Sequence, residues 1–279
     1  MKRLTQAVFG FLPLLFGVLL CVGVFSACQQ PKPDADLLQR ITEQGKLVAG
    51  VKFDSKPFGY LDADGELKGF DVDLVREISA RLAKKLGTPV EVEFQQVVSS
   101  TRQIALDSRH VDLVAATMTI TDERKKVIDF SEPYFTAHQK IIVPDKSTAR
   151  TLDDLNNDTV LFVFGSTSEE NIKKRLPQAN YLGFKAYTDA FSALRAGRGD
   201  AFTTDDTILG GFLAENCGFR LLDEKLSDEP YGIGFKKSSV TKALQKQINE
   251  IILEMNADGT LKKLRAQWVD GVRNGKACR

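Results

Sequence analysis

A chain of two α/β lobes, each a mostly parallel sheet flanked by helices, is what the sequence predicts, and three observations lead there. Short apolar, β-prone segments alternate with amphipathic helical ones from Leu47 onward, the pattern of parallel sheets covered on both faces. The alternation comes in two series, one closing near Arg124 and one opening at Ile141-Ile142-Val143. The chain after its first 27 residues, about 250 residues long, is enough for one large α/β domain or two of moderate size.

In chain order, Lys2 and Arg3 precede an uncharged apolar run from Ala7 to Phe25 that ends in Phe25-Ser26-Ala27-Cys28. A basic start, a short apolar run and small residues at a cleavage point read as a signal peptide over 1–27, which implies export. The alternative is an uncleaved anchor, but the polar Gln29-Gln30-Pro31-Lys32-Pro33 that follows reads as a linker, over 28–39. The leader holds two of the 38 Lys and Arg and none of the 37 Asp and Glu. What remains is nearly neutral, with no basic field for nucleic acid and no further run long enough to cross a bilayer.

Leu47–Val51 reads as a strand, and Tyr60 to Phe70 as a hairpin or tight loop turned by Asp64-Gly65. Asp71 to Leu86 spaces Val72, Val75, Ile78, Leu82 and Leu86 as a helix ended by Gly87. Then come a strand at Val90–Gln95, a short helix at Thr101–Leu106, a buried strand over Val111–Ala116 and a turn helix carrying Arg124. The second series reads strand at Thr159–Phe164, helix at Thr167–Leu176, strand at Tyr181–Phe184, helix at Asp189–Ala196, strand at Ala201–Thr204 and helix at Thr207–Glu215. Tyr231–Phe235 reads as one strand, and Val240–Met255 and Leu261–Trp268 as closing helices.

Much chemistry is missing. There is no GxSxG, HExxH or phosphate-loop lysine. The two histidines, His110 and His138, lack a set of metal-ligand partners, and Asp62-Ala-Asp-Gly-Glu lacks ligands a calcium loop requires. No metal and no cofactor are expected. What remains is a set of polar residues at strand ends. Thr117-Met-Thr-Ile-Thr-Asp-Glu-Arg124 puts an arginine just inside a helix start at the end of a buried strand. A planar guanidinium there, with free amides near Thr117 and Thr119, makes a carboxylate receptor; the alternative is a solvated arginine paired with Asp122 or Glu123. Gly165-Ser-Thr167-Ser-Glu169 opens a helix as a second anion-binding end or as an ordinary cap. Asp205 offers a counter-charge for an ammonium or caps the helix after it. Beyond the linker the chain holds only Cys217 and Cys278, which in an oxidising compartment either pair, clipping the C-terminus to the loop after Glu215, or stay as two free thiols.

Gly50-Val-Lys52, Pro57-Phe58-Gly-Tyr60, Gly69-Phe-Asp71-Val-Asp73, Thr119 to Arg124, Asp129 to Tyr134, Gly165 to Ser168, Asp200-Ala-Phe202 and Tyr231 to Phe235 together resemble the family 3 extracellular solute-binding proteins that feed polar amino acids to ABC importers. The likeness runs over residues 40 to 270. It implies the two-lobed periplasmic-binding-protein fold of type II with two hinge crossings, lobe 1 over 40–137 plus 230–279 and lobe 2 over 138–229. It further implies that Arg124 binds the ligand α-carboxylate with Thr119, backbone near Thr117 and Thr167, while Asp205 binds the α-ammonium. Members that take glutamate or aspartate carry basic residues at the positions of Lys52 and Arg102. With Ser99 beside them, these imply an acidic amino acid as guest, Tyr187 as a side-chain wall, and Phe58 and Tyr60 as closing residues. Cys28 resembles the lipidated first residue of bacterial lipoproteins. The body also resembles the ligand-binding core of ionotropic glutamate receptors, whose disulfide has the arrangement of Cys217 and Cys278. The expectation is therefore a monomeric binding lipoprotein, not an enzyme, that hands its ligand to membrane permease subunits. The same fold hosts dehydratase-like enzymes and sensors, and for an enzyme Glu169 is the acid or base within reach.

Overall fold

Residue 36 opens the described part of the computed structural model, which runs to residue 271; Cys28 and Cys278 lie outside it. The first helix, α1 (Leu37–Gln44), starts inside the stretch read as linker. Asp36 caps it by accepting from the amides of Leu38 and Gln39, and Gly45 ends it at φ 64°. Only Ile41 is fully buried in α1, with Leu37 and Leu38 half-buried beside it on the core, and at 8 residues the helix offers a single apolar repeat to read.

The first sheet draws on β1 (Lys46–Val51), β5 (Glu91–Gln96), β6 (Leu113–Val114) and β7 (Ile128–Phe130), while β2 (Asp54–Ser55), β3 (Gly59–Leu61) and β4 (Leu67–Lys68) form a small antiparallel sheet. Asp62 turns the β3–β4 hairpin by accepting from the amides of Asp64 and Glu66. Between these lie α2 (Phe70–Leu86), which buries the predicted Val72, Val75, Ile78 and Leu82, then α3 (Arg102–Asp107) and α4 (Asp122–Lys125). The Val111–Ala116 run is as buried as expected, yet only Leu113 and Val114 pair as strand.

The second sheet uses β8 (Phe135–Pro144), β9 (Thr159–Val163), β10 (Asn180–Phe184), β11 (Ala201–Asp205), β12 (Phe219–Leu221) and β13 (Ser227–Tyr231). Its helices are α5 (Thr167–Arg175), α6 (Tyr187–Arg195) and α7 (Asp206–Glu215). The predicted strand Tyr231–Phe235 is two strands. β13 ends at Tyr231 on β8, whereas β14 (Gly234–Lys236) pairs with β6 and β7 in the first sheet. The apolar run is continuous because both pieces are buried, so nothing local marks the change of partner. α8 (Lys242–Ala257) and α9 (Thr260–Trp268) then pack on α2.

The strand orders are β5-β1-β6-β14-β7 and β10-β9-β11-β8-β12, with β13 added on β8. β1 runs parallel to β5 and β6, and β9 parallel to β10 and β11. Two α/β layers result, and the chain passes between them twice, along β8 and along β13. These two segments lie side by side, Ser227 opposite Gln139 through Tyr231 opposite Phe135. An aromatic cluster of Phe58, Phe70, Tyr134, Phe135 and Tyr231, with ring centroids 5.3 to 6.3 Å apart, fills the space beside the crossing.

Candidate functional site

In both sheets the carboxyl ends of the parallel strands face one cleft, the place where open α/β sheets put their ligands. Lys52 follows β1, Ser99 and Arg102 follow β5, and Thr117 and Thr119 follow β6. From the other sheet, Gly165 to Thr167 follow β9, Tyr187 follows β10 and Asp205 ends β11. The cleft is closed. Arg124 Nη2 donates to the Gly165 carbonyl at 3.1 Å, and Lys52 Nζ and Ser99 Oγ lie 3.1 and 3.2 Å from the Tyr187 hydroxyl. Gly165, at φ +74°, comes so near the opposite wall that a Cβ there would sit 2.7 Å from the Ser100 Cα.

Arg124 is placed by a real helix start, because Thr121 caps α4 by accepting from the Arg124 amide. Its guanidinium does not pair with Asp122 or Glu123. Nη1 donates to the Thr119 carbonyl at 2.8 Å, so the fork is aimed into the cleft. Burial and the neighbouring Arg102 cation lower its pKa to about 9. Arg102 donates through Nη1 to the carbonyls of Ala116 and Thr117 at 2.9 and 3.1 Å, and burial pushes its pKa down as well. Lys52, 1 % exposed, donates to Thr117 Oγ1 at 2.6 Å and lies 4.2 Å from the centre of the Tyr187 ring. Among the described residues none of these three cations makes an ion pair with a carboxylate.

Asp205 is their counterpart. Its Oδ2 accepts from the Tyr231 hydroxyl, while its Oδ1 is buried with no partner. Burial, followed by the charge of Glu229, raises its pKa to about 7. A buried carboxylate oxygen left unpaired is costly, and a cation placed against it removes that cost.

Thr117 sits at φ +46°, a conformation that costs a β-branched residue on the order of 1–3 kcal/mol and survives only where its surroundings impose it.

The bacterial extracellular solute-binding proteins, family 3, match residues 47–271 of the sequence. The chain belongs to that family. It is 40 % identical to the ABC transporter glutamine-binding protein GlnH of Bacillus subtilis, a match over 84 % of this chain and 85 % of that one. It is 32 % identical to the glutamate-binding protein GluB of Corynebacterium glutamicum, over 90 % and 87 %. Among solved structures, an ancestral amino acid-binding protein described as a precursor of cyclohexadienyl dehydratase superposes with a TM-score of 0.76 at 33 % identity, covering 84 % of this chain and 99 % of that one. The two-lobed type II fold is thus the fold of this solute-binding protein.

Of the residues expected in the site of this solute-binding protein, Lys52, Ser99, Arg102, Thr117, Thr119, Arg124, Thr167, Tyr187 and Asp205 come together. Phe58 contributes from behind, edge-on to Tyr231 within the aromatic cluster. Tyr60 faces away, packing edge-on against Trp268 at 6.3 Å. Glu169 is held by Lys173 at 2.8 Å, and His138 pairs with Asp228 at 2.7 Å. Two buried acids, Asp71 behind the cleft and Glu229 within it, had no role assigned from sequence. Asp71 stands in a motif that carried the family resemblance, and only its burial reveals a function. Glu229 shares the inward face of β13 with Tyr231, an i, i+2 relation visible in sequence only if β13 is known to be a strand. Its Oε2 accepts from the hydroxyls of both Thr119 and Thr167 at 2.7 Å. A hydroxyl has one proton, so in this arrangement the two threonines turn lone pairs, not donors, toward the cleft, the opposite of what a carboxylate site needs from them.

Proposed function

We propose that this protein is the amino-acid receptor of an ABC importer and that its guest is an acidic amino acid, glutamate or aspartate. One observation carries the reading: within one enclosed cleft, the Arg124 fork from one sheet and the orphan Oδ1 of Asp205 from the other stand ready for a carboxylate and an ammonium. A zwitterion needs both, and it gains both only when the two sheets are closed upon it. Closure then acts about the crossings β8 and β13, with lobe 1 over 40–137 plus 230–279 and lobe 2 over 138–229. The loaded, closed form is what membrane permease subunits recognise. Micromolar affinity needs about −8 kcal/mol, which a few charge-assisted hydrogen bonds in a dry cleft supply after closure.

The acidic side chain is supported by Lys52 and Arg102, two buried cations at the same end of the cleft without an acidic partner of their own among the described residues. A neutral amide in their company would leave that charge unmet. Glutamine is the second reading, favoured by the likeness to GlnH and by the fact that Thr117 already engages donors of both cations. An enzyme reading has less support, since Glu169 is committed to Lys173. Export over a signal peptide, lipid anchoring at Cys28, a Cys217–Cys278 disulfide and a monomeric state belong to the same proposal. The mass of the purified protein before and after thiol alkylation, with and without reductant, tests the bridge.

The deciding experiment is calorimetric titration of protein stripped of ligand by unfolding and refolding, with glutamate, aspartate, glutamine and arginine in turn. Binding of the two acidic amino acids alone is the expected result. A preference for glutamine would keep the receptor and move Lys52 and Arg102 out of the specificity role, and conversion of the ligand would make the protein an enzyme.

A further inference from the structure

Thr117 is held at every polar atom, each by a different charged side chain. Its amide donates to Asp71 Oδ2 at 3.0 Å, its carbonyl accepts from Arg102 at 3.1 Å, and its hydroxyl accepts from Lys52 at 2.6 Å. Only one other non-glycine residue among those described, Arg109, has a positive φ. A strained residue clamped in this way at the centre of a cleft is over-determined by its surroundings, which is the condition under which strain persists.

Asp71 is the part of the clamp that comes from outside the cleft. It lies in the first turn of α2, is 0 % exposed, and its own amide donates to the Phe58 carbonyl at 2.9 Å. Its second oxygen accepts from the Tyr134 hydroxyl at 2.8 Å. Burial raises its pKa to about 6, against the hydrogen bonds from Tyr134 and the Thr117 amide and the weaker pull of Lys52 and Arg102. A solvent-facing aspartate in a first turn would serve the helix dipole at no such cost; this one is turned inward, with both oxygens committed.

We propose that Asp71 is a positioning residue of the amino-acid site: by holding the Thr117 amide it keeps the turn after β6 in its left-handed form, and through that turn it sets where Lys52 and Arg102 point. It rests on the reading of this cleft as the amino-acid site, although the clamp itself does not. Asp71 acts through Thr117 and needs no contact with the guest. What it requires is a hydrogen-bond acceptor of fixed position, not a charge. An asparagine in its place offers one oxygen to the Thr117 amide and one N–H to the Tyr134 hydroxyl, which accepts as readily as it donates.

Four variants test this, with two readouts. Hydrogen exchange of the Thr117 amide, followed by NMR in ligand-free protein, reports on the clamp alone. Protection is expected in the wild type and in Asp71→Asn, and exchange faster by about tenfold or more in Asp71→Ala, since the buried acceptor is gone. Calorimetry reports on the site: Asp71→Ala should bind amino acids at least about tenfold more weakly, Asp71→Asn within about threefold of wild type. Thr117→Gly takes positive φ without strain, so in that background Asp71→Ala should cost clearly less, a non-additivity that a general loss of stability does not produce. Should Asp71→Ala alone fail to fold, the comparison of Asp71→Ala/Thr117→Gly with Thr117→Gly, together with Asp71→Asn, still decides. Unchanged Thr117 exchange in Asp71→Ala, or strictly independent effects of the two substitutions, would overturn the proposal. If instead the wild type binds no amino acid while the exchange results hold, it is the amino-acid reading that fails and the clamp that stands.

Discussion

The two walls of the cleft differ in how complete they are without a guest. The wall built on the first sheet contributes Lys52, Arg102 and Arg124, and each of these cations already has backbone or hydroxyl acceptors on its own side, at 2.6 to 3.1 Å. The wall built on the second sheet contributes Asp205, whose free oxygen has nothing. Its tie to the rest runs through Tyr231, at the point where the chain crosses back. The first wall is therefore organised in advance, whereas the second holds a buried carboxylate oxygen that, on the proposed reading, closing around an ammonium satisfies. On the proposed reading the incomplete side couples binding to closure, while the complete side supplies both the carboxylate fork and the selectivity.

The largest test removes one end of the zwitterion's contacts. Arg124→Ala should lower affinity for every amino acid by roughly a thousandfold, the loss of two charge-assisted hydrogen bonds, as read by titration calorimetry. If affinity holds, Arg124 is not the carboxylate fork. Next is pH. Burial and the charge of Glu229 raise Asp205 to about 7, and an ammonium beside it would favour its ionised form. Binding should thus release protons and weaken by up to about tenfold per unit as pH falls below 7, which calorimetry in buffers of different ionisation enthalpy detects. Thermal stability of the ligand-free protein should move the other way. Asp71 and Asp205 both have folded pKa values above their ordinary 3.8, at about 6 and about 7. The native state then holds more protons than the unfolded one, so this contribution is fully present below about pH 4 and is lost as pH rises through 6 to 7.

Smaller effects sharpen the contrast between the walls. Arg102→Ala should weaken glutamate about tenfold more than glutamine; an equal loss for both would mean that Arg102 serves the Thr117 turn and not the guest's side chain. Gly165→Ala places a methyl against Ser100 at a positive φ and should cost about tenfold in affinity by hindering closure. Small-angle scattering with saturating ligand should then show a larger radius of gyration than for wild type.

Two series of strands and helices, the helix spans of α2 and α5 to α9, the turn at Asp64-Gly65 and the position of Arg124 inside a capped helix start are all legible in the residues, because they depend on neighbours a few positions away. The strand ends that gather at a parallel sheet's carboxyl edge follow from the same alternation, which points to Thr117, Thr119, Arg124, Thr167 and Asp205, while Lys52, Phe58, Ser99, Arg102 and Tyr187 come from the family resemblance. Tertiary structure alone decided the rest. The split of Tyr231–Phe235 between two sheets, the short β7 and β12, and the polarity that Glu229 imposes on Thr119 and Thr167 all depend on partners distant in sequence. The sharpest case is Asp71. In the sequence it is one of two acids in the first turn of a helix, and what separates it from Asp73 is the direction it faces once α2 has packed. A carboxylate in water and a carboxylate buried under a strained threonine are the same letter, and only desolvation and the geometry of its partners make the second a functional group.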